Sequence, residues 1–163
     1  MFESMLAWLL GVLAISKVGL TAVFVVSFIS ATLLPMGSEP VVFAVIKANP
    51  ALFWAVIFIA TLGNTLGGML NYGMAYGAKK VFAKERQTTW FAWLEKYGAK
   101  TMLLAWLPVV GDPICALGGW LKLPFWPCAL YMAIGKFLRY VVLTLALMHI
   151  PDSFWHRLLL FIT

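Results

Sequence analysis

Pro35-Met36-Gly37-Ser38-Glu39-Pro40 decides how this chain folds, because Pro108-Val109-Val110-Gly111-Asp112-Pro113 repeats its pattern 73 residues later. Each copy is a proline, three residues, an acid and a second proline. Leu33-Leu34 leads into the first and Val41-Val42 follows it; Trp106-Leu107 and Ile114-Cys115 flank the second. A carboxylate between helix breakers, inside segments apolar enough for lipid, is costly. Interrupted hydrophobic segments at corresponding places in two halves of a chain point to a transport site.

Working outward, composition supports a membrane environment. Of 163 residues, 63% are hydrophobic and only 11% charged, where a soluble domain carries roughly 25% charged residues. The mean hydropathy is +0.94. The net charge of +6 is concentrated in one loop, which fits orientation in a membrane better than nucleic-acid binding. The start of the chain lacks the basic region and small-residue cleavage site of a signal peptide.

Apolar runs then set the expected topology. Met5 to Ile15 is too short to span and reads as an interfacial or partly inserted helix. Leu20 to Leu34 and Val41 to Ile46 are neither a comfortable span alone, and together read as a re-entrant hairpin with Glu39 at its tip. Ala51 to Tyr76 is a full crossing whose second half is small and polar. Gly63/Gly67 and Gly73/Gly77 are spaced for close helix approach, and Asn64, Gly67 and Asn71 share one face. Thr101 to Leu107 and Ile114 to Leu121 form the second hairpin, and Leu123 to Met148 the second crossing. Pro151-Asp152-Ser153 begins a short interfacial tail. Between the halves, about residues 81–98, Trp90, Trp93, Leu94 and Tyr97 form one apolar stripe on a basic helix. That pattern suits a membrane-surface helix, and its bases mark the cytoplasmic side.

Gly63-Asn64-Thr65-Leu66-Gly67 aligns with Gly135-Lys136-Phe137-Leu138-Arg139 at an offset of 72. Each half is therefore a hairpin plus a crossing, repeat 1 over about 20–78 and repeat 2 over about 101–148. One true span between equivalent points inverts the second half. The expected fold is one all-α membrane domain, an inverted repeat of re-entrant hairpin and transmembrane helix, with interfacial helices.

Four intramembrane charges sum to zero: Glu39, Asp112, Lys136 and Arg139. Pairing is close to compulsory at that depth, and Arg139 is expected to neutralise one of the two acids, with Asp112 of its own half favoured. Ser38 and Asp112 are expected helix N-caps, each with a proline early in the first turn. Each outgoing half-helix then aims its positive end at its own acid, favouring the charged carboxylate or binding a phosphate, while burial favours the neutral acid. Cys115 and Cys128 have no metal or redox spacing and read as buried apolar residues. His149 and His156 fit the membrane surface. No enzyme, cofactor or metal motif is present, and proline after each acid argues against an intramembrane aspartyl protease.

Ser30-Ala31-Thr32-Leu33-Leu34-Pro35 with Ser38-Glu39, Gly63-Asn64-x-x-Gly67 with Tyr72 and Gly77, Trp106-x-Pro108-x-x-Gly111-Asp112-Pro113 with Gly119, and Gly135-Lys136-x-x-Arg139-Tyr140 resemble the YqaA branch of the DedA family, which shares the VTT (SNARE-associated) domain. The resemblance covers about residues 20 to 148. It implies facing re-entrant hairpins in the bacterial inner membrane and a role in membrane homeostasis. That role is lipid scrambling or flipping, of phospholipid or polyprenyl phosphate, with proton dependence in some members. The main branch has arginines three residues before and after the second-hairpin proline, where this chain has Ala105 and Gly111. The paired acids Glu39 and Asp112 are thus the expected proton or transport residues. Arg139 and Lys136 are the expected charge or phosphate partners. Ser38, Asn64, Gly63, Gly67, Gly111 and Tyr140 are expected to line or pack the path. Membrane lipids are the expected partners, with self-association left open. A proton-coupled antiporter of a small ion or solute and a non-transporting scaffold are the alternatives.

Overall fold

The computed structural model describes residues 16–32, 37–78, 96–107 and 111–149, with the backbone only at Ser16, Ala78 and Asp112. The segments 1–15, 33–36, 79–95, 108–110 and 150–163 lie outside the described residues. The expected interfacial start, most of the expected basic surface helix, the expected tail helix and part of each break fall in those segments. Helix is the only regular structure among the described residues.

Helix α1 is Ser16–Thr32, α2 is Glu39–Ala48, α3 is Phe53–Ala78, α4 is Gly111–Trp120 and α5 is Phe125–Met148. A 3-10 turn, Pro50–Leu52, joins α2 to α3, and a 3-10 helix, Gly98–Trp106, precedes α4. Among the described residues, only α3 and α5 belong to stretches long and apolar enough to cross a membrane. At 1.5 Å per residue they extend about 39 and 36 Å, whereas α2 and α4, ten residues each, reach only about 15 Å. The two long helices begin and end within two residues of the crossings expected from hydropathy.

Glycine lets α1 lie directly on α3. A methyl group on Gly63 would stand 2.6 Å from the Phe24 carbonyl oxygen, and one on Gly67 would stand 2.6 Å from that of Phe28. One turn on, Asn71 Nδ2 donates to the Ala31 carbonyl at 2.7 Å. That oxygen belongs to the last turn of α1, where carbonyls lack helical partners. These contacts pair residues 24, 28 and 31 with 63, 67 and 71, so α1 and α3 run parallel. Gly73 and Gly77, by contrast, have open space around them among the described residues.

Helix α5 runs the other way. Phe58 meets Phe137 at 5.5 Å, Tyr72 meets Phe125 at 6.0 Å, and Lys122 sits 5.6 Å over the Tyr76 ring. As the number rises on α3 it falls on α5, which is antiparallel packing. Helix α4 again follows α3: Cys115 lies beside Gly68, and Gly119 presses on the Tyr72 backbone. Continued back one turn, that register brings Gly111 level with Asn64, halfway along α3. On the far side, Gly135 of α5 packs against the Leu103 carbonyl of the 3-10 helix, with a methyl at 2.5 Å.

Two apolar cores result. Val42, Val45 and Ile46 of α2 pack with Val56, Ile57 and Ala60 of α3 and with Val23. Met102, Ala105, Ile114, Cys115, Cys128 and Met132 form the second. Both cysteines are buried as thiols rather than joined in a disulfide.

Helix α4 closes in a Schellman motif: Leu123 N–H bonds the Gly118 carbonyl at 3.1 Å and Lys122 N–H that of Gly119 at 3.0 Å. Lys122 takes the left-handed conformation, φ 56°, at a cost of roughly 1 kcal/mol for a residue with a Cβ. Lys122→Gly is therefore expected to stabilise the protein by up to about 1 kcal/mol, less whatever the contact with Tyr76 contributes. Thermal unfolding in detergent measures it, and a lower midpoint refutes it.

Candidate functional site

The site is the polar layer halfway along the two long helices. Asn64 is the twelfth residue of α3 and Lys136 the twelfth of α5. Lys136, 2% exposed, places its ammonium against α3. It donates to the Asn64 backbone carbonyl at 2.6 Å and to Asn64 Oδ1. Gly68 makes room for it, since a methyl there would stand 2.9 Å from Lys136 Nζ.

An ammonium only donates, so Asn64 must turn its oxygen toward Lys136. Its amide N–H then faces the Tyr140 hydroxyl at 2.7 Å. With that hydroxyl accepting from Asn64, the phenol proton is left for Ser38 Oγ, 2.5 Å away. Ser27 of α1 lies beside the same hydroxyl. Tyr140, 1% exposed, thus ties the tip of the first break to both long helices. Tyr140→Phe removes the hydroxyl and leaves the Asn64 N–H and Ser38 hydroxyl buried without it. The expected loss is about 2 kcal/mol, read as a lower unfolding midpoint; an unchanged midpoint would show that the network contributes nothing.

Ser38 occupies the N-cap position, with its carbonyl accepting from Val42 N–H at 3.1 Å, but its side chain does not cap. The expectation of a capping hydroxyl fails because Tyr140 takes that oxygen. Helix α4 begins at Gly111, one residue before Asp112, so Asp112 sits inside the first turn rather than at the cap. Pro40 and Pro113 follow in the first turns and are exposed. Lacking an N–H, proline leaves no orphan donor where a helix start faces an apolar surrounding.

Arg139, one turn from Lys136, forms an ion pair with Glu39, Nη2 to Oε1. The sequence had favoured Asp112 of the same half, whose side chain is outside the described residues. The pairing observed crosses from the second half to the first, because α5 passes the start of α2. Gly37 allows it: any Cβ there would overlap the Glu39 carboxylate, which folds back over the glycine. The two side chains are 16% and 17% exposed. Arg139 Nε is buried without a hydrogen-bond partner among the described residues. The guanidinium therefore keeps a donor in reserve for a further acceptor.

Gly111 serves a different purpose from Gly37. A Cβ on Gly111 would run into the Ala105 backbone, and Ala105 is 1% exposed. Positions 105 and 111 are thus closed against each other. Among the expected site residues, the structure gathers Ser38, Glu39, Asn64, Lys136, Arg139 and Tyr140 into one layer. Gly63 and Gly67 lie beside it as packing surfaces against α1. Sequence reasoning did not single out Gly68 or Ser27. Gly68 adjoins the Gly63/Gly67 spacing, but only the approach of Lys136 gives it a purpose.

The VTT domain family profile matches residues 34–148. Inner membrane protein YqaA of Escherichia coli strain K12 is 39% identical over 139 residues, 84% of this chain and 96% of that protein. An uncharacterized protein of Haemophilus influenzae strain Rd is 42% identical over 130 residues, 74% of this chain and 82% of that one. No solved structure matches.

Proposed function

This chain belongs to the VTT-domain (DedA) family, and from that premise we propose that it is an inner-membrane transporter or scramblase of lipids carrying a phosphate headgroup. The relative named as an inner membrane protein supports the location. The bases of 79–100 support a cytoplasmic loop.

The observation that carries the proposal is the buried polar layer at mid-helix, with Glu39 and Arg139 paired at the start of α2. Charged side chains at membrane depth mark a substrate or proton path by default. The parallel course of α1 and α3, with α2 returning to the start of α3, supports a hairpin that enters and leaves on one side. The start of α4 at the level of Asn64, and its return to the start of α5, support a second hairpin from the other. Together they favour an inverted repeat. In this mechanism a headgroup passes along the polar layer. Its phosphate takes the reserve donor of Arg139, Glu39 is released to accept a proton, and Asp112 does the same for the second hairpin. With Ala105 and Gly111 in place of arginines, phosphate recognition falls to Arg139 and Lys136.

Reconstitution with fluorescent phospholipid tests it. Scrambling is expected in liposomes with the wild-type chain and is expected to be lost with Glu39→Gln. Proton flux driven by a cation gradient without lipid movement would replace the proposal with an antiporter. Retained scrambling in Glu39→Gln would remove the acid from the mechanism.

A further inference from the structure

The two long helices begin alike. Phe53-Trp54 opens α3 and Phe125-Trp126 opens α5, again 72 residues apart. In both pairs the rings meet edge to face, at 5.2 Å and 89° in the first and 5.6 Å and 89° in the second. Both tryptophans face outward, 58% and 79% exposed. Because α3 and α5 are antiparallel, they stand at opposite ends of the bundle.

The contacts between α3 and α5 put Trp126 level with residue 71 or 72 of α3. The tryptophan levels are then about 25 Å apart along the helix axis. Side chains lean toward the N-terminus of their own helix, which here is outward at both ends. That lean brings the ring levels close to the ~30 Å hydrocarbon thickness of a bilayer. Between them the exposed side chains of α3 and α5 are apolar, Phe58, Leu62 and Leu66 on one and Leu130, Ile134 and Leu138 on the other. Exposed cations stand at the two ends, Lys17 and Lys47 near the Trp54 level and Lys122, over the Tyr76 ring, beyond the Trp126 level.

The same offset of 72 relates Asn64 to Lys136, and those two residues touch. When equivalent residues of two related halves meet, the axis relating the halves passes between them. Asn64 is also midway between the tryptophan levels, ten residues from Trp54 and seven or eight from the level of Trp126.

We infer that Trp54 and Trp126 are the two interfacial anchors of this protein, and that the bilayer midplane coincides with the Asn64–Lys136 contact. The surface between the anchors is a collar for acyl chains, and the cations beyond it meet lipid phosphates on both faces. The polar layer then lies near the middle of the bilayer, about 15 Å from the Trp54 level and about 11 Å from that of Trp126. This rests on the membrane reading of the fold but not on any transport activity.

Depth-dependent quenching tests it in phosphatidylcholine vesicles brominated either near the headgroup end or near the methyl end of the chains. Two proteins each keep one of the eight tryptophans, Trp54 or Trp126, with the others changed to Phe. A third, with all eight replaced, carries Leu62→Trp. Trp54 and Trp126 are expected to be quenched about twofold more by the shallow bromines, and Leu62→Trp by the deep ones. Deep bromines quenching either anchor more strongly, or shallow ones quenching Leu62→Trp more strongly, would overturn the assignment. Should these proteins not fold, spin labels on Lys47→Cys, Lys122→Cys and Leu138→Cys keep all tryptophans. The first two are then expected to be reached from water and the third from lipid, and the reverse overturns it. Scrambling is scored separately, so a failed transport proposal leaves these depths untouched.

Discussion

Glu39→Gln is expected to destabilise the folded protein by about 3 kcal/mol, because it leaves the Arg139 guanidinium mostly buried without its counter-charge. Arg139→Gln should cost a similar amount by stranding the carboxylate. The double variant Glu39→Gln/Arg139→Gln is expected to cost clearly less than the sum, since neither charge then remains in the layer. Unfolding in mixed micelles gives all three values. If the single effects add, the pair seen here contributes nothing, and Glu39 must be balanced by another group. Under the proposed lipid transport the pattern differs. The double variant should regain stability without regaining lipid movement, which separates the structural part of the pair from its functional part.

Gly63→Val with Gly67→Val is expected to be the more damaging change to the fold. Each methyl would meet a backbone carbonyl of α1, at Phe24 and at Phe28. A backbone cannot step aside as a flexible side chain can, so α1 has to move away from α3. Overpacking of this kind costs roughly 1–3 kcal/mol at each site. Separation of the helices would also withdraw the Ala31 carbonyl from Asn71. The expected result is loss of a folded species in detergent, measured by size exclusion and thermal unfolding. Gly73→Val with Gly77→Val is the control. A Cβ at either position meets nothing within 4 Å among the described residues, and the pair should leave the stability within about 0.5 kcal/mol of wild type. Equal damage from both pairs would show that helix propensity, not contact with α1, governs the first.

These expectations draw on different sources. The glycine spacing and the two acid motifs are visible in the chain, and so is the membrane character of both long helices. They depend on periodicity and composition, which act over one or two turns. The purpose of each glycine is not visible there. Gly37 accommodates a folded-back carboxylate, Gly68 an ammonium and Gly111 the backbone of Ala105, three reasons that no spacing separates. Asn64 was legible as part of a small, polar face; that it clasps Lys136, 72 residues on, was not.

What the sequence determined by itself is where helices run, where they break, and that four charges must find partners in an apolar surrounding. Proline, hydropathy and the cost of a bare charge suffice for that. Which charge meets which was decided only by tertiary structure. Arg139 and Glu39 are 100 residues apart and come together because α5 runs antiparallel to α3 and passes the start of α2. Ser38 gives up its cap for the same reason, since Tyr140 arrives from that helix with a stronger claim on its hydroxyl. Helix direction and register are properties of packed backbones, and no local stretch of sequence contains them.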